Sequence, residues 1–303
     1  MKLFQKIKKN LNYLSHIRNS NNIIYNYKDV PAIDHRVNIH IHDVKRSGFK
    51  YSDNGKYPKN LGDNLAIPIC QYLLDKQSLR IDSPISGKKH LFTVGSGALN
   101  SFADATIWGS GILFDGLRGV WWEKYWDAEH RKLDIRAVRG PLSREVFLKL
   151  GHHCPEVYGD PGILMPMIYT PSSLPEKTEY CIIPQYVTES EVKRYFPEER
   201  IISMNTDDYK STIDRICSCN IVYSSSLHGI ILAESYGVPA IFYRGLKSLF
   251  DFKYRDYYAS TGRYDIPMAN TLVEAMRMTP PPLPDLRQMQ HRLVETFPYD
   301  LWE

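Results

Sequence analysis

Three hydroxyls and an imidazole stand together at the end of an apolar stretch of the sequence. Ser224, Ser225 and Ser226 follow that stretch, and His228 and Gly229 begin the helical pattern after it. Hydroxyls and the free N–H groups of a helix start can hold an anion. A histidine there can donate and then accept a proton near neutral pH. We predict an anion site with His228 as its acid–base group; the alternative is a structural histidine.

A carboxylate stands in a second turn, within Tyr158-Gly-Asp-Pro-Gly162. Asp160 is predicted either to bond the backbone of its own turn, which is the usual role of aspartate in such a turn, or to accept a proton during a reaction or orient a sugar hydroxyl. The sequence leaves both roles open.

Two glycine turns add candidate ligand-binding residues. The first contains Asn60, Gly62, Asp63 and Asn64 before a helical pattern, where glycine permits close approach of an anion to the backbone. Capping of that helix by Asp63 is the alternative. The second turn follows an apolar strand pattern and consists of Gly95, Ser96 and Gly97. Turns at the carboxyl ends of parallel strands line the binding crevice of α/β proteins.

Three cations are candidates to bind an anionic substrate. Arg139 stands between a strand pattern and a helix that starts at Pro141, where its two parallel N–H donors can hold a phosphate or carboxylate. Lys253 and Arg255 are interleaved with aromatic residues in a stretch that we predict to be a loop. The alternatives are a surface arginine at 139 and a solvated helix face at 253–255.

Alternating strand and helix patterns must position these residues. They predict an α/β fold of two Rossmann-like domains that face a cleft, in a GT-B-like arrangement. We place the domains at residues 1–169 and 170–303, with a terminal helix at 285–295 that can cross back to the first domain. Residues 1–20 have the pattern of a basic amphipathic helix, which can lie on an anionic membrane or dock on the protein's own core.

Composition narrows the function classes. The net charge of +4 does not favour nucleic acid as a partner. No apolar run is long enough to cross a membrane and no secretory signal is evident, so we expect a cytoplasmic protein, peripheral to the membrane if residues 1–20 bind it. The five cysteines include no C-x-x-C pair, which predicts reduced thiols and no zinc site.

The ordered set of N-x-G-D-N, G-S-G, V-R-G-P-L-S, Y-G-D-P-G and S-S-S-L-H-G resembles the polysaccharide pyruvyl transferase family, from about Asn60 to Pro239. The resemblance implies phosphoenolpyruvate as donor, a saccharide acceptor that can be lipid-linked, a cyclic pyruvate ketal as product, and no cofactor. Family members usually carry arginine where this chain has Ser226, so Arg139, Lys253 or Arg255 is expected to supply the charge. A nucleotide-sugar glycosyltransferase and a non-catalytic binding protein of polysaccharide assembly are the alternatives.

Overall fold

The computed structural model describes residues 37–39, 59–83, 85–86, 89–99, 104–113, 131–171, 177–245, 251–266 and 268–303. The amphipathic segment 1–20 lies outside this part of the chain. Two parallel sheets with intervening helices form the described structure, which confirms the α/β class. None of the described helices has the length and apolar character needed to cross a membrane.

The first sheet has the strand order β1-β2-β3-β4, and every neighbouring pair is parallel. Its strands are β1 (Val37–Ile39), β2 (Lys89–Phe92), β3 (Ala105–Trp108) and β4 (Leu133–Ala137). Strands β2 and β3 are almost wholly buried, as expected for parallel strands covered on both faces. The helices of this half are α1 (Leu61–Asn64), α2 (Ala66–Asp75), α3 (Pro141–Lys149) and α4 (Met165–Ile168), with a 3₁₀ turn at Pro161–Leu164.

The second sheet contains β5 (Cys181–Ile183), β6 (Val222–Ser224) and β7 (Ala240–Phe242), again all parallel. Around it lie α5 (Glu189–Val192), α6 (Tyr209–Cys217), α7 (Leu227–Ser235), α8 (Phe252–Ser260), α9 (Leu272–Ala275) and α10 (Arg287–Glu295), with 3₁₀ turns at Glu198–Arg200 and Tyr299–Leu301.

One hydrophobic cluster joins the two sheets. It contains Ile39 and Leu91 of the first sheet together with Ile183, Val222 and Phe242 of the second. The C-terminal segment also contacts the first half, because the Trp108 indole N–H donates to the carbonyl of Leu293 in α10 at 3.0 Å.

Two predicted elements differ from the structure. The apolar pattern of residues 200–203 predicts a strand after the first helix of the second series. The structure has only one bridge there among the described residues, between Ile182 and Ile201, because a 3₁₀ turn at Glu198–Arg200 leaves little extended chain to pair. The loop predicted around Lys253 is helix α8 instead. Its tyrosines at 254, 257 and 258 recur at helical spacing and are buried against the core, so packing stabilises the helix.

The prediction of reduced thiols is wrong for two cysteines. Cys181, the first residue of β5, forms a disulfide with Cys219, although they are 38 residues apart in sequence. The parallel bridge between Thr178 and Cys219 brings the two segments together. Fold topology, which cysteine spacing does not encode, therefore creates the pair. Cys70, Cys154 and Cys217 remain free thiols.

Candidate functional site

Four turns from both halves of the protein meet around the His228 ring. His228 lies in the first turn of α7, directly after the carboxyl end of β6. A side chain at position 62 would collide with Nδ1 of this ring, so Gly62 allows α1 to approach it. A Cβ at Gly95 would lie 3.7 Å from Cε1 of the same ring. The fold thus brings Gly62, Gly95, Asp160 and His228 together, as expected for strand-end turns.

The His228 imidazole is buried beside the Asp160 carboxylate. The residue is 8% exposed, and Nε2 is buried without a hydrogen-bond partner among the described residues. Oδ2 of Asp160 is 3.6 Å from Nε2, which is close enough for an ion pair but long for a hydrogen bond. Because buried ring nitrogens are usually paired, this arrangement indicates a group that is available for proton transfer.

Asp160 bonds the backbone of its own turn, as predicted, and also faces His228. It is the N-cap residue of the 3₁₀ turn, and Oδ1 accepts a 3.0 Å hydrogen bond from the Gly162 N–H. Oδ2 accepts a 3.3 Å bond from the Gly95 N–H and faces His228. The carboxylate is fully buried. The turn therefore fixes the orientation of the oxygen that faces the imidazole.

The first glycine turn is continuous with this site. Asn60, rather than Asp63, is the N-cap residue of α1, so Asp63 lies within the helix. The Asn60 side-chain amide donates to Oδ2 of Asp63 at 2.8 Å. Gly95 has φ +91°, and a Cβ there would clash with Oδ1 of Asp63, so only glycine fits. Asn64 is half-buried beside them.

The three serines have different roles. The Ser224 hydroxyl donates to the carbonyls of Ile183 and Ser226 at 3.1 and 2.8 Å. The Ser225 hydroxyl accepts from the Gln185 N–H at 3.0 Å. Both residues are fully buried and shape the turn, and Gly229 packs closely against Ser224. Ser226 is half-exposed and is an N-cap residue whose side chain makes no capping bond.

Arg139 is wholly buried and bonded to the protein itself. Its Nε donates to Oδ2 of Asp256 at 3.0 Å, its Nη1 to Ser96 Oγ at 2.6 Å and its Nη2 to the Ile112 carbonyl at 2.6 Å. The surface arginine named as the alternative is wrong, since the side chain is 0% exposed. A substrate could bind this guanidinium only by displacing these partners.

Lys253 and Arg255 lie on α8 but differ in environment. Arg255 is exposed and makes no contact with the other candidate residues in the described part of the chain. Lys253 is half-buried, and its Nζ lies 4.9 Å from the centre of the Tyr254 ring. Desolvation and the nearby Arg139 lower the pKa of Lys253 to about 8, although Asp63 acts in the opposite direction. Lys253 is thus electrostatically linked to Asp63 of the first glycine turn and to Arg139.

Residues 51–245 match the family model described as polysaccharide pyruvyl transferase, and this span contains all four turns at the His228 ring. The chain belongs to the polysaccharide pyruvyl transferase family. This confirms the resemblance inferred from the motifs. Membership of the polysaccharide pyruvyl transferase family indicates a transferase that acts in pyruvyl transfer to polysaccharide and takes a saccharide acceptor.

Two further proteins are similar to this member of the family. The uncharacterized protein L143 of Acanthamoeba polyphaga mimivirus is 30% identical over 213 residues, which cover 67% of this chain and 71% of the relative. A crystal structure of a functionally uncharacterized protein from Klebsiella pneumoniae has 13% identity and a TM-score of 0.44, covering 84% of this chain and 92% of that chain.

Sequence reasoning missed two residues near this candidate site. Asp256 forms a hydrogen bond with Arg139. The only feature of the sequence that could have indicated this role is its position three residues after Lys253 on helix α8. Tyr186 is half-buried, and burial together with the charge of Asp63 raises its pKa. Among the described residues, no group of three or more His, Cys, Asp or Glu side chains could hold a metal ion.

Proposed function

We propose that this protein transfers the enolpyruvyl unit of phosphoenolpyruvate to a sugar and forms a cyclic pyruvate ketal with release of phosphate. The observation that carries the proposal is the His228 imidazole, whose Nε2 lies 3.6 Å from Asp160 and has no hydrogen-bond partner in the described structure. Family membership supplies the reaction class. The donor and the ketal product are what the resemblance to this family implies, and the acid–base pair at His228 is compatible with them.

The proposed reaction needs one acid and one base. His228 gives a proton to the methylene carbon of the donor, and the neighbouring carbon becomes an oxocarbenium-like electrophile. A sugar hydroxyl adds to that carbon, and its proton returns to His228 or Asp160. The bond to the phosphate oxygen then breaks, with phosphate carrying away the electron pair. A second hydroxyl of the same sugar adds to the resulting cation, and loss of its proton completes the ketal.

Two anionic groups on the donor must be held while this occurs. We assign Lys253 to one of them, because Arg139 is bonded to Asp256 and Arg255 is exposed. Free N–H groups at the start of α7, with Ser226 and Gly229, would bind the other. The turns containing Asn60, Gly62, Asp63 and Asn64 and containing Gly95, Ser96 and Gly97 would form the opposite wall.

The same proposal covers the surroundings of the reaction. We place the two sheets in Rossmann-like domains that face a cleft, with the active site between them. The acceptor is a precursor of a surface polysaccharide or exopolysaccharide, and residues 1–20 would bring the enzyme to a lipid-linked form of it at the inner face of the membrane.

Ligand-dependent thermal denaturation tests the donor. Phosphoenolpyruvate, a UDP-hexose and inorganic phosphate are each added to the purified chain, and the Tm is measured. A ligand that binds only the folded state stabilises it by about 2.7 kcal/mol at a hundred times its Kd. We expect the Tm to rise with phosphoenolpyruvate and not with the UDP-hexose. The opposite result would favour a nucleotide-sugar glycosyltransferase and overturn the donor assignment.

Product analysis tests the reaction. Candidate lipid-linked oligosaccharides are incubated with phosphoenolpyruvate and the enzyme, and the products are weighed by mass spectrometry while phosphate is measured. We expect saccharide that has gained a pyruvate ketal in equal amount to the phosphate released. Release of phosphate without a modified saccharide would contradict ketal formation.

A further inference from the structure

The buried carboxylate of Asp256 fills the anion position at the start of α3. It accepts hydrogen bonds from the Ser143 N–H at 2.9 Å, from the Ser143 hydroxyl at 2.6 Å and from Arg139 Nε at 3.0 Å. Gly140, the N-cap residue of α3, provides no side-chain cap. Asp256 is 0% exposed and comes from α8, outside the residues 51–245 that match the family model. A distant helix therefore supplies the charge that this helix start requires.

Arg139 extends the contact from Asp256 to the second glycine turn. Its Nη1 donates to Ser96 Oγ at 2.6 Å, and its Nη2 donates to the Ile112 carbonyl at 2.6 Å. The space around the pair is filled, because a side chain at Gly111 would collide with the guanidinium and one at Gly140 would collide with Asp256. The pair therefore has little freedom to adopt another arrangement.

The second glycine turn, at residues 95–97, contacts the proposed catalytic groups. The Gly95 N–H donates to Oδ2 of Asp160 at 3.3 Å, and that oxygen lies 3.6 Å from Nε2 of His228. A continuous series of contacts thus runs from Asp256 through Arg139 and the Gly95–Ser96 turn to Asp160. Three of the links are hydrogen bonds, and the step from Ser96 to Gly95 runs along the backbone.

We propose that Asp256 is a positioning residue that acts through Arg139 to hold the turn at residues 95–97, and hence Asp160, in place beside His228. The effect on catalysis rests on the function proposed above. Without the carboxylate, Arg139 is a buried cation that lacks its counter-ion, and such a cation must rearrange or draw in water. Either response loosens the Ser96 contact.

The test compares Asp256→Asn with Glu234→Gln. Both changes preserve shape and remove a buried carboxylate that pairs with arginine, since Glu234 bonds Arg263 at 2.6 and 2.7 Å and the Tyr257 hydroxyl at 2.8 Å. No hydrogen bond or ion pair joins the Glu234 side chain to residues 93–99 in the described structure, so Glu234→Gln controls for general loss of stability. Ser143→Ala, which removes a single hydroxyl, serves as a second variant if Asp256→Asn does not fold.

Hydrogen–deuterium exchange of the peptide covering residues 93–99 is the first measurement, at denaturant concentrations that equalise global stability. We expect Asp256→Asn to accelerate exchange there by about tenfold and Glu234→Gln to leave it unchanged. Ser143→Ala should give a smaller increase in the same peptide. Equal exchange in Asp256→Asn and Glu234→Gln would overturn the proposal.

The second measurement is turnover of phosphoenolpyruvate by the same variants. We expect kcat to fall in Asp256→Asn by about tenfold more than in Glu234→Gln, with a smaller change in KM, because a displaced Asp160 affects the chemical step more than donor binding. The two measurements separate the two proposals. If only Asp256→Asn changes the hydrogen exchange of residues 93–99, the link through Arg139 is supported. If the unmodified protein does not turn over phosphoenolpyruvate, that result counts against the proposed function alone.

Discussion

Two helix starts in this protein have the same local design and different occupants. Helix α3 follows β4, and helix α7 follows β6, each through a short turn with small residues. At α3 the carboxylate of Asp256 bonds the N–H of Ser143. At α7 the N-cap residue Ser226 makes no side-chain cap, and His228 keeps Nε2 without a hydrogen-bond partner in the described structure. The helix start at α3 is therefore structural, because the protein's own carboxylate occupies it. The helix start at α7 is available to a ligand, because no side chain of the described structure caps it.

Removal of Arg139 should have the largest effect on the filled helix start. We expect Arg139→Met to lower the free energy of unfolding by about 3–5 kcal/mol, because it leaves Asp256 buried without its charge partner. Urea denaturation followed by circular dichroism measures this value. The double variant Arg139→Met with Asp256→Leu is the control, and it should recover much of the loss. Additive losses would show that the two residues do not stabilise one another.

Replacement of His228, at the open helix start, should lower activity rather than stability. We expect His228→Asn to lower kcat by about 10²–10⁴-fold, the usual contribution of a general acid–base group, with little change in stability. Phosphate release from phosphoenolpyruvate with a matching acceptor measures the rate, and the Tm provides the control. Turnover at the normal rate would refute the assignment of the imidazole.

The charge of Lys253 should make donor binding depend on pH. Its pKa of about 8 means that it loses its charge as pH rises through that value. We expect the affinity for phosphoenolpyruvate to weaken by about fivefold between pH 8 and pH 9, as measured by calorimetry.

Stability should change in the other direction over the same range. Because the folded pKa lies below the ordinary value of 10.5, the unfolded chain holds the proton more tightly, and stability rises as pH increases from about 8 to 10.5. Lys253→Met should remove both dependences. An unchanged pH profile of binding in this variant would mean that Lys253 does not contact the donor.

The smallest effect is expected at Ser226. Its side chain makes no capping bond and is half-exposed, so Ser226→Ala should change the free energy of unfolding by no more than about 0.5 kcal/mol. Thermal denaturation is sufficient to measure this. A loss above about 1 kcal/mol would indicate that the hydroxyl caps α7 in solution, and the two helix starts would then be less different than the structure indicates.

The α/β class and the meeting of the candidate turns could be predicted from the sequence. Short apolar strands, each ending in glycine or serine before a helical pattern, encode a parallel sheet, and parallel sheets gather such turns at one edge. This is why Gly62, Gly95, Asp160 and His228 lie together. Local patterns were sufficient for the turns at Gly95 and His228, which follow β2 and β6 closely in the chain.

The bonding of individual side chains could not be predicted in this way. The helix start at Arg139 is filled by Asp256, which is 113 residues from Ser143, and no local pattern indicates that pairing. Helix α8 was only the alternative to a predicted loop, because the spacing of its buried tyrosines and its exposed Arg255 did not by itself distinguish the two. Long-range packing determines both features.

The disulfide between Cys181 and Cys219 means that the covalent state of this protein depends on how it is prepared. It joins the first residue of β5 to the residue just after the turn that ends α6, next to the strand that leads to Ser224. Closing a loop of 38 residues by a disulfide typically adds about 2–4 kcal/mol. Samples purified with and without a reductant are therefore different molecules. Alkylation after denaturation would label three thiols in the oxidised sample and five in the reduced one, because Cys70 and Cys154 are buried in the folded protein. Comparisons between variants are therefore meaningful only within one oxidation state.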